Sequence, residues 1–380
     1  MKKFLLVPDS FKGTMSSAAI CAVMRSAILH HFPAAEVVSI PVADGGEGSV
    51  DAFLSALGGQ KINVRAQGPL GEEIDSFYGV LPDHTAVIEM AACAGLPLVY
   101  GRMQPSKTTT YGVGQLMRHA LASGCRKIIV GLGGSATNDL GSGAAAALGV
   151  RFLDAQGQVF LPTGGTLGRI ASIDMSALES ALLGAEITTM CDIDNPLYGE
   201  RGAAYVFGPQ KGADADMVRF LDAQLRAAAE VIRTQLGRDI AELPGAGAAG
   251  GMGGGMVAFL GSRLQPGIET VLDTVRFDAL LRGADLVLTG EGRLDSQTLG
   301  GKVVAGVARR AKKQRVPVLA IVGEIGDNIG AIYEQGVSAI FSINRAPVDF
   351  SISKHHSAEN LAIALDNLMR FLRALPEKEE

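Results

Sequence analysis

The chain contains 380 residues, which is enough for two domains with cores of their own. Hydrophobic residues make up 47% and charged residues 19%, a composition typical of folded globular proteins and not of disordered chains. The 34 basic and 39 acidic residues leave a net charge of −5 and tryptophan is absent, which argues against nucleic acid or an anionic membrane as a partner.

The first forty residues follow the pattern of a βαβ unit. A short apolar run at 3–7 predicts a strand, and the hydroxyl residues within 14–17 can cap a helix whose apolar positions recur as far as Ile28. Residues 37–42 predict a second buried strand. Such a unit favours a parallel sheet with functional residues at the carboxyl ends of its strands.

The last hundred residues repeat this alternation. The predicted strands and helices are 285–289, 302–314, 316–322, 328–335, 338–343 and 358–374. We therefore predict an α/β protein of two α/β domains. Residues 1–60 plus 283–380 form a Rossmann-like parallel-sheet domain from both chain ends, and 61–282 form an inserted mixed α/β domain. The active site is expected in the cleft between them.

The strongest phosphate-binding signal is the segment 128–139, IIVGLGGSATND, in which a strand is followed by a glycine loop and a helix start. This arrangement directs backbone N–H groups and a helix dipole at an anion. Asp139 can hold a metal ion or cap the helix, and an ordinary tight turn is the simpler alternative. The predicted nucleotide-binding residues of this loop are its glycines and polar side chains: Gly133, Gly134, Ser135, Thr137 and Asn138.

A second glycine segment, GAGAAG at 245–250, matches the G-x-G-x-x-G pattern of dinucleotide-binding proteins. Pro244 and two acidic residues precede it, which makes a poor buried strand, so an NAD-dependent oxidoreductase is not favoured. Gly250 and Gly251 remain candidates for nucleotide contact. Which of the two glycine loops holds the γ-phosphate stays open.

A polar turn ends the strand at 285–289. Glu291, Arg293 and Asp295 stand at alternate positions there, a set that can bind a small acid or a metal-bound phosphate. A surface ion-pair turn is the alternative. The carboxyl edge of the same predicted sheet also carries Lys12, a cation for a carboxylate or phosphate.

Further candidates follow other strands. Ser10 lies in the turn after the first strand, and Asp44 follows the second strand and can accept a hydroxyl proton, with helix capping as the alternative. In the insertion, Asp192 follows a strand as a Mg²⁺ ligand or base, and Lys211 is a candidate phosphate contact. No histidine carries a signal and no G-x-S-x-G occurs, so a Ser-His-Asp hydrolase is not supported.

Taken together, these segments resemble the bacterial glycerate kinase family over nearly the whole chain. The similar segments are PDSFKGT (8–14), PVADGGEGSV (41–50), GPLGEE (68–73), IEMAACAGL (88–96), GLGGSATND (131–139), CDIDNPLYGERGAAYVFGPQKGA (191–213), PGAGAAGGMGGG (244–255) and LTGEGRLDSQTLGGK (288–302). The resemblance implies ATP-dependent phosphorylation of D-glycerate with Mg²⁺, in two α/β domains of which one is inserted in the other. Similarity to enterobacterial-type members implies 2-phosphoglycerate rather than 3-phosphoglycerate as the product.

The chemistry of the residues assigns the roles. Arg293 can bind the glycerate carboxylate in a bidentate way with Lys12 as a second cation, and Asp44 orients or deprotonates the attacking hydroxyl. Asp192, with Asp139 as a second candidate, supplies the metal ligand. Kinases of another small hydroxy acid or of the galactokinase type, and a non-enzymatic sugar-acid-binding regulator, are the alternatives. The four separated cysteines and the lack of a membrane segment predict a cytoplasmic protein, and a homodimer is possible.

Overall fold

The computed structural model describes most of the chain and divides it into two compact units. The described residues are 1–42, 45–178, 182, 184–295 and 303–375. Unit 1 comprises both chain ends and unit 2 the intervening insertion. Their ranges are Met1–Ala43, Ser55–Leu57 and Ile268–Glu380 for unit 1, and Asp44–Leu54 and Gly58–Gly267 for unit 2.

The unit boundaries differ from the predicted positions after residues 60 and 282. At the first boundary, a strand that begins at Gln60 pairs with Val80 and so belongs to unit 2. At the second, a helix carries Glu269, whose carboxylate accepts hydrogen bonds from Arg309 at 3.2 Å and Arg310 at 2.6 Å. These contacts attach residues from Ile268 onward to unit 1.

Fourteen strands are present in the described part of the chain. In order they are β1 (Lys3–Pro8), β2 (Glu36–Ser39), β3 (Gln60–Gln67), β4 (Glu73–Val80), β5 (Thr85–Glu89), β6 (Lys127–Gly131), β7 (Arg151–Leu153), β8 (Val159–Phe160), β9 (Ser172–Asp174), β10 (Glu186–Met190), β11 (Arg263–Gln265), β12 (Leu286–Leu294), β13 (Val318–Ile325) and β14 (Ala339–Ser342).

The α-helices among the described residues alternate with these strands for most of the chain. They are α1 (Ser17–His31), α2 (Ser49–Leu57), α3 (Ala91–Ala94), α4 (Tyr111–Ala122), α5 (Ser142–Ala147), α6 (Ala203–Phe207), α7 (Ala215–Leu236), α8 (Met252–Leu260), α9 (Gly267–Thr274), α10 (Phe277–Leu280), α11 (Val303–Lys313), α12 (Gly330–Glu334), α13 (Phe350–Ser353) and α14 (Ser357–Ala374). None of them is long and apolar enough to cross a membrane.

Unit 1 is built on a five-stranded parallel sheet with the order β14-β13-β12-β1-β2. Its strands are continuously apolar because both faces are buried. Leu319 and Ile321 of β13 pack in a cluster with α1 and α14, whereas Ala320 and Val322 pack on the other face with α11. The predicted Rossmann-like sheet formed by both chain ends is confirmed.

Strand β12 is longer than the sequence predicts. Residues 290–294 continue the strand instead of forming a loop, because β13 pairs with β12 as far as Leu294. Glycine permits the close approach: a Cβ at Gly290 would lie 2.0 Å from the carbonyl oxygen of Ile321. The remainder of the loop predicted for 290–301, from residue 296 onward, and the predicted helix start at 302 lie outside the described residues.

Unit 2 contains a six-stranded mixed sheet with the order β11-β10-β6-β5-β4-β3 and a small sheet with the order β8-β7-β9. Strands β5, β6, β10 and β11 run parallel, whereas β3, β4 and β5 pair antiparallel. Residues 60–80 form the antiparallel pair β3–β4. Their alternation of polar and apolar residues matches a pair with one face more buried than the other. The predicted second α/β domain is thus a mixed-sheet domain, as expected.

Candidate functional site

The glycine loop after β6 is packed against the backbone at Gly45 and Gly46 of unit 2. The backbone N–H of Gly133 donates to the carbonyl of Gly45 at 3.0 Å. A Cβ at Gly131 would lie 2.3 Å from that carbonyl oxygen, and a Cβ at Gly133 would lie 2.5 Å from the Cα of Gly46. Neither position has room for a side chain, so glycine is required where the two segments meet. Gly134 is exposed, with a φ of +75°.

A buried lysine lies beneath this loop. The side chain of Lys211 ends a 3-10 turn and is 1% exposed. Its Nζ donates to the Ser135 hydroxyl at 2.8 Å and to the Thr137 carbonyl at 2.7 Å. Burial lowers the pKa of Lys211 to about 7, although the nearby Asp139 carboxylate opposes that change. Lys211 therefore stabilises the loop through these two hydrogen bonds.

The Asp139 carboxylate is fully buried and organises the helix that follows the loop. One oxygen accepts from the backbone N–H of Thr110 at 2.7 Å, from the Thr110 hydroxyl at 2.9 Å and from the N–H of Gly143 at 3.3 Å, and the other accepts from Gly141 at 3.2 Å. Burial raises the pKa of Asp139, and these hydrogen bonds act in the opposite direction. Because both oxygens already accept from protein donors, the geometry favours the capping role of Asp139 over the predicted metal role.

Three polar atoms of the same loop lack a hydrogen-bond partner among the described residues. They are the Thr137 hydroxyl oxygen and both polar atoms of the Asn138 side chain, and the two residues are 0% exposed. A buried polar group without a partner costs about 1–3 kcal/mol, so it rarely persists without a ligand or water. With the Lys211 ammonium and the backbone donors of the loop, these atoms fit a polar, negatively charged ligand.

The second glycine segment supports the first loop by close packing. A Cβ at Gly250 would lie 2.0 Å from the Thr137 carbonyl oxygen, and the Gly250 carbonyl accepts from the N–H of Leu140 at 3.1 Å. A Cβ at Gly251 would lie 3.0 Å from the side chain of the buried Leu197. Both glycines are buried, so the geometry gives them a packing role, and their predicted contact with a nucleotide remains a prediction. Irregular backbone, and no strand, precedes them in the described residues 239–244.

Asp192 lies just beyond the end of β10 and is exposed. One of its oxygens accepts a hydrogen bond from the N–H of Gly267 at 2.7 Å, and a Cβ at Gly267 would lie 3.0 Å from the other oxygen. Because carboxylate oxygens are the preferred protein ligands of Mg²⁺, this anchored and exposed side chain fits the predicted metal role.

The predicted substrate residues lie in unit 1. The turn that carries Ser10 and Lys12 follows β1 and is held against β12, since the N–H of Asp9 donates to the carbonyl of Gly290 at 2.8 Å. A Cβ at Gly292 would lie 3.4 Å from the backbone nitrogen of Lys12. The structure therefore brings this turn and strand β12 together. Lys12 is exposed and Ser10 is half-buried.

Arg293, near the end of β12, lies between two carboxylates. Arg293 lies 3.5 Å from Asp295 and 3.6 Å from Glu324, and its side chain remains 59% exposed. Glu291 is 4% exposed. Sequence reasoning missed Glu324, which becomes the neighbour of Arg293 only through the register of β12 and β13. Asp44, the predicted base, lies outside the described residues.

The threonine run at 108–110 was also missed. The Thr108 hydroxyl donates to the carbonyl of Ala136 at 3.0 Å, and Thr110 binds Asp139 as described above. Three consecutive hydroxyl residues before a helix are a usable signal, but nothing in their spacing relates them to a loop nearly thirty residues later.

Comparison with known proteins agrees with this architecture. The family model described as "Glycerate kinase family" matches residues 4–373. A glycerate kinase from Bacillus cereus is 45% identical over 378 residues, covering 99% of both chains. A glycerate 2-kinase from Escherichia coli is 44% identical over 343 residues, covering 90% of both chains. A solved structure of a candidate glycerate kinase 2 from Salmonella typhimurium LT2 superposes with a TM-score of 0.87 at 42% identity, covering 98% of both chains. The chain therefore belongs to the glycerate kinase family.

Proposed function

We propose that the protein transfers the γ-phosphoryl group of ATP to the 2-hydroxyl of D-glycerate, forming 2-phosphoglycerate and ADP. Membership of the family and the similarity to a relative named glycerate 2-kinase support this reaction. The structural observation that supports it is the loop of unit 2, where the buried Lys211 bonds the Thr137 carbonyl and where the Thr137 hydroxyl and the Asn138 side chain have no hydrogen-bond partner among the described residues.

We propose that the phosphates of ATP bind to this loop. The backbone N–H of Gly134 and the side chains of Thr137 and Asn138 donate to phosphate oxygens, whereas the N–H of Gly133 stays bonded to the carbonyl of Gly45. Lys211 acts from beneath, since its Nζ already bonds two oxygens of the loop and holds them in place. Phosphoryl transfer depends chiefly on such positioning and on charge stabilisation.

Asp192 is the proposed ligand of Mg²⁺. Its exposed carboxylate supplies the hard oxygen donor that this ion prefers, and the Gly267 N–H fixes its orientation. When bound with ATP, Mg²⁺ neutralises part of the charge that develops on the phosphate oxygens. Asp192 thus contributes a fixed negative charge at the end of β10.

Glycerate is proposed to bind to residues of unit 1. The exposed guanidinium of Arg293 can bind the substrate carboxylate in a bidentate way, and Lys12 adds a second positive charge. Ser10, Glu291 and Asp295 are proposed to hydrogen-bond the two hydroxyl groups. The predicted base, Asp44, accepts the proton of the attacking hydroxyl.

Steady-state kinetics with ADP formation as the readout would test these roles. Arg293→Ala should raise the KM for glycerate by at least tenfold, with little change in the KM for ATP, whereas Arg345→Ala, an exposed arginine of the same unit, should change neither. Asp44→Asn should lower kcat far more than it raises the KM for ATP. The reverse pattern would contradict the role of Asp44, and faster turnover of another hydroxy acid would reassign the substrate.

We also infer a cytoplasmic location and a homodimer. All four cysteines are free, and burial raises the pKa of Cys21 and Cys93 to about 12, which is compatible with a reducing compartment.

Phe350 and Phe371 of unit 1 are each 61% exposed, and large exposed apolar side chains are common at interfaces. Light scattering of the purified protein decides the oligomeric state.

A further inference from the structure

Two adjacent histidines converge in unit 1 with an aspartate that lies 335 positions after the second of them. His30 and His31 are the last two residues of α1, and Asp366 lies on α14. One ligand atom from each residue lies within 4.8 Å of the others. The two imidazole rings are 4.9 Å apart and nearly perpendicular, with His31 only 7% exposed and His30 exposed to solvent.

We propose that His30, His31 and Asp366 form a binding site for a divalent transition-metal ion of the zinc type. Two imidazole nitrogens and one carboxylate oxygen are the ligands that Zn²⁺ prefers, and a fourth position remains for water. Mg²⁺ and Ca²⁺ prefer sets of oxygen ligands, so the site is distinct in its chemistry from the proposed Mg²⁺ ligand Asp192.

The ligand atoms lie within 4.8 Å of one another, so binding such an ion brings the most distant pair closer by up to about 1.5 Å. Tetrahedral ligands at roughly 2.0–2.1 Å from zinc are about 3.3 Å from one another. The Nε2 atom of His31 and the Oδ1 atom of Asp366 are already 2.7 Å apart and share a hydrogen bond. On binding, the ion takes the place of the shared proton, which leaves to solvent, and the two atoms separate by about half an ångström.

A hydrogen bond from a neighbouring arginine orients the Asp366 carboxylate. Arg370 donates from its Nε to the second oxygen of Asp366 at 2.7 Å and leaves the first oxygen directed at His31. The Arg370 side chain is 65% exposed, so water screens its repulsion of a bound cation. Such a hydrogen bond to a ligating carboxylate is usual around metal sites.

The position of the site predicts what the ion does. Helices α1 and α14 pack in the same apolar cluster, to which α1 contributes Ile28 and α14 contributes Leu365. An ion held by both helices binds the folded state and not the unfolded state, so it raises the temperature of unfolding. The role is structural and needs neither substrate nor nucleotide.

The test uses the full-length protein freed of metal with a chelator and titrated with Zn²⁺ in a calorimeter. We expect one ion per chain, with the affinity reduced at least tenfold by His30→Ala and by His31→Gln. Co²⁺ should give the visible absorption of a four-coordinate ion, and Zn²⁺ should raise the unfolding temperature. As a matched control, the double variant of His355→Ala and His356→Ala removes the exposed histidines near Glu359 in the same unit and should retain all three signals.

The proposal is overturned if the wild-type protein shows no saturable binding of Zn²⁺, or if both site variants bind Zn²⁺ as the wild type does. Loss of binding in the control variant alone would equally contradict it. Glutamine at position 31 can still hydrogen-bond Asp366, which protects the fold. If that variant nevertheless fails to fold, His30→Ala at the exposed position gives the decision.

Discussion

Replacing Lys211 by methionine tests the arrangement beneath the glycine loop. The variant keeps a side chain of similar length and removes the ammonium that bonds the Ser135 hydroxyl and the Thr137 carbonyl. In the wild type, burial holds the pKa of Lys211 at about 7, below the value of 10.5 expected for an unfolded chain. The folded protein therefore loses this proton at a lower pH than the unfolded protein does.

The sign and size of the effect follow from linkage. Between about pH 7 and pH 10.5 the unfolded chain binds a proton that the folded chain does not, so the contribution of Lys211 to the free energy of unfolding rises with pH. Below about pH 7 both states bind the proton and the full cost of burying the charge is present. From pH 7 to pH 9.5 the wild type should gain about 3 kcal/mol relative to Lys211→Met.

Urea unfolding of both proteins at a series of pH values measures this difference. Lys107→Met, which changes an exposed lysine of unit 2, serves as the control and should follow the wild type at every pH. We also expect Lys211→Met to lower kcat/KM for ATP about 100-fold, since the loop loses the amino group that bonds Ser135 and Thr137. Parallel stability curves for Lys211→Met and the wild type would refute the reasoning.

Three further variants probe other contacts. Gly133→Ala should lower the free energy of unfolding by about 1–3 kcal/mol in urea and raise the KM for ATP, because its Cβ would lie 2.5 Å from the Cα of Gly46; unchanged values would contradict the required close approach. Asp139→Asn should cost about 2–3 kcal/mol in the same assay because an amide cannot accept from all four donors, and a neutral result would show that the capping is dispensable. Arg310→Met, which removes the partner of three carboxylates, should lower the unfolding temperature with little change in kcat; a loss of kcat would place that network in the reaction.

The sheet of unit 1 could be predicted because its strands are continuous apolar runs alternating with helical patterns. The glycine loop could be predicted because the order of strand, glycines and helix is local in sequence. The extension of β12 could not, because residues 290–294 read as turn formers and become a strand only through pairing with β13. Local preference was overridden there by a tertiary partner.

The sequence predicts which residues belong to the candidate site better than it predicts what each of them does. The sequence indicates Lys211 and Asp139 as polar residues near glycines, but it does not show that both are buried or that one lies beneath the loop. The hydrogen bond between Lys211 and Ser135 spans 76 positions, and that between His31 and Asp366 spans 335. Contacts at such separations depend on the packing of whole elements, which no local pattern encodes.

Phosphorus NMR of the purified protein incubated with ATP, Mg²⁺ and D-glycerate tests the proposed reaction most directly. We predict a new phosphomonoester signal split into a doublet, because the phosphate of 2-phosphoglycerate couples to the single hydrogen on its carbon. A triplet would indicate transfer to the 3-hydroxyl and contradict the proposed position. Formation of ADP and inorganic phosphate with no phosphomonoester would contradict the glycerate kinase activity itself.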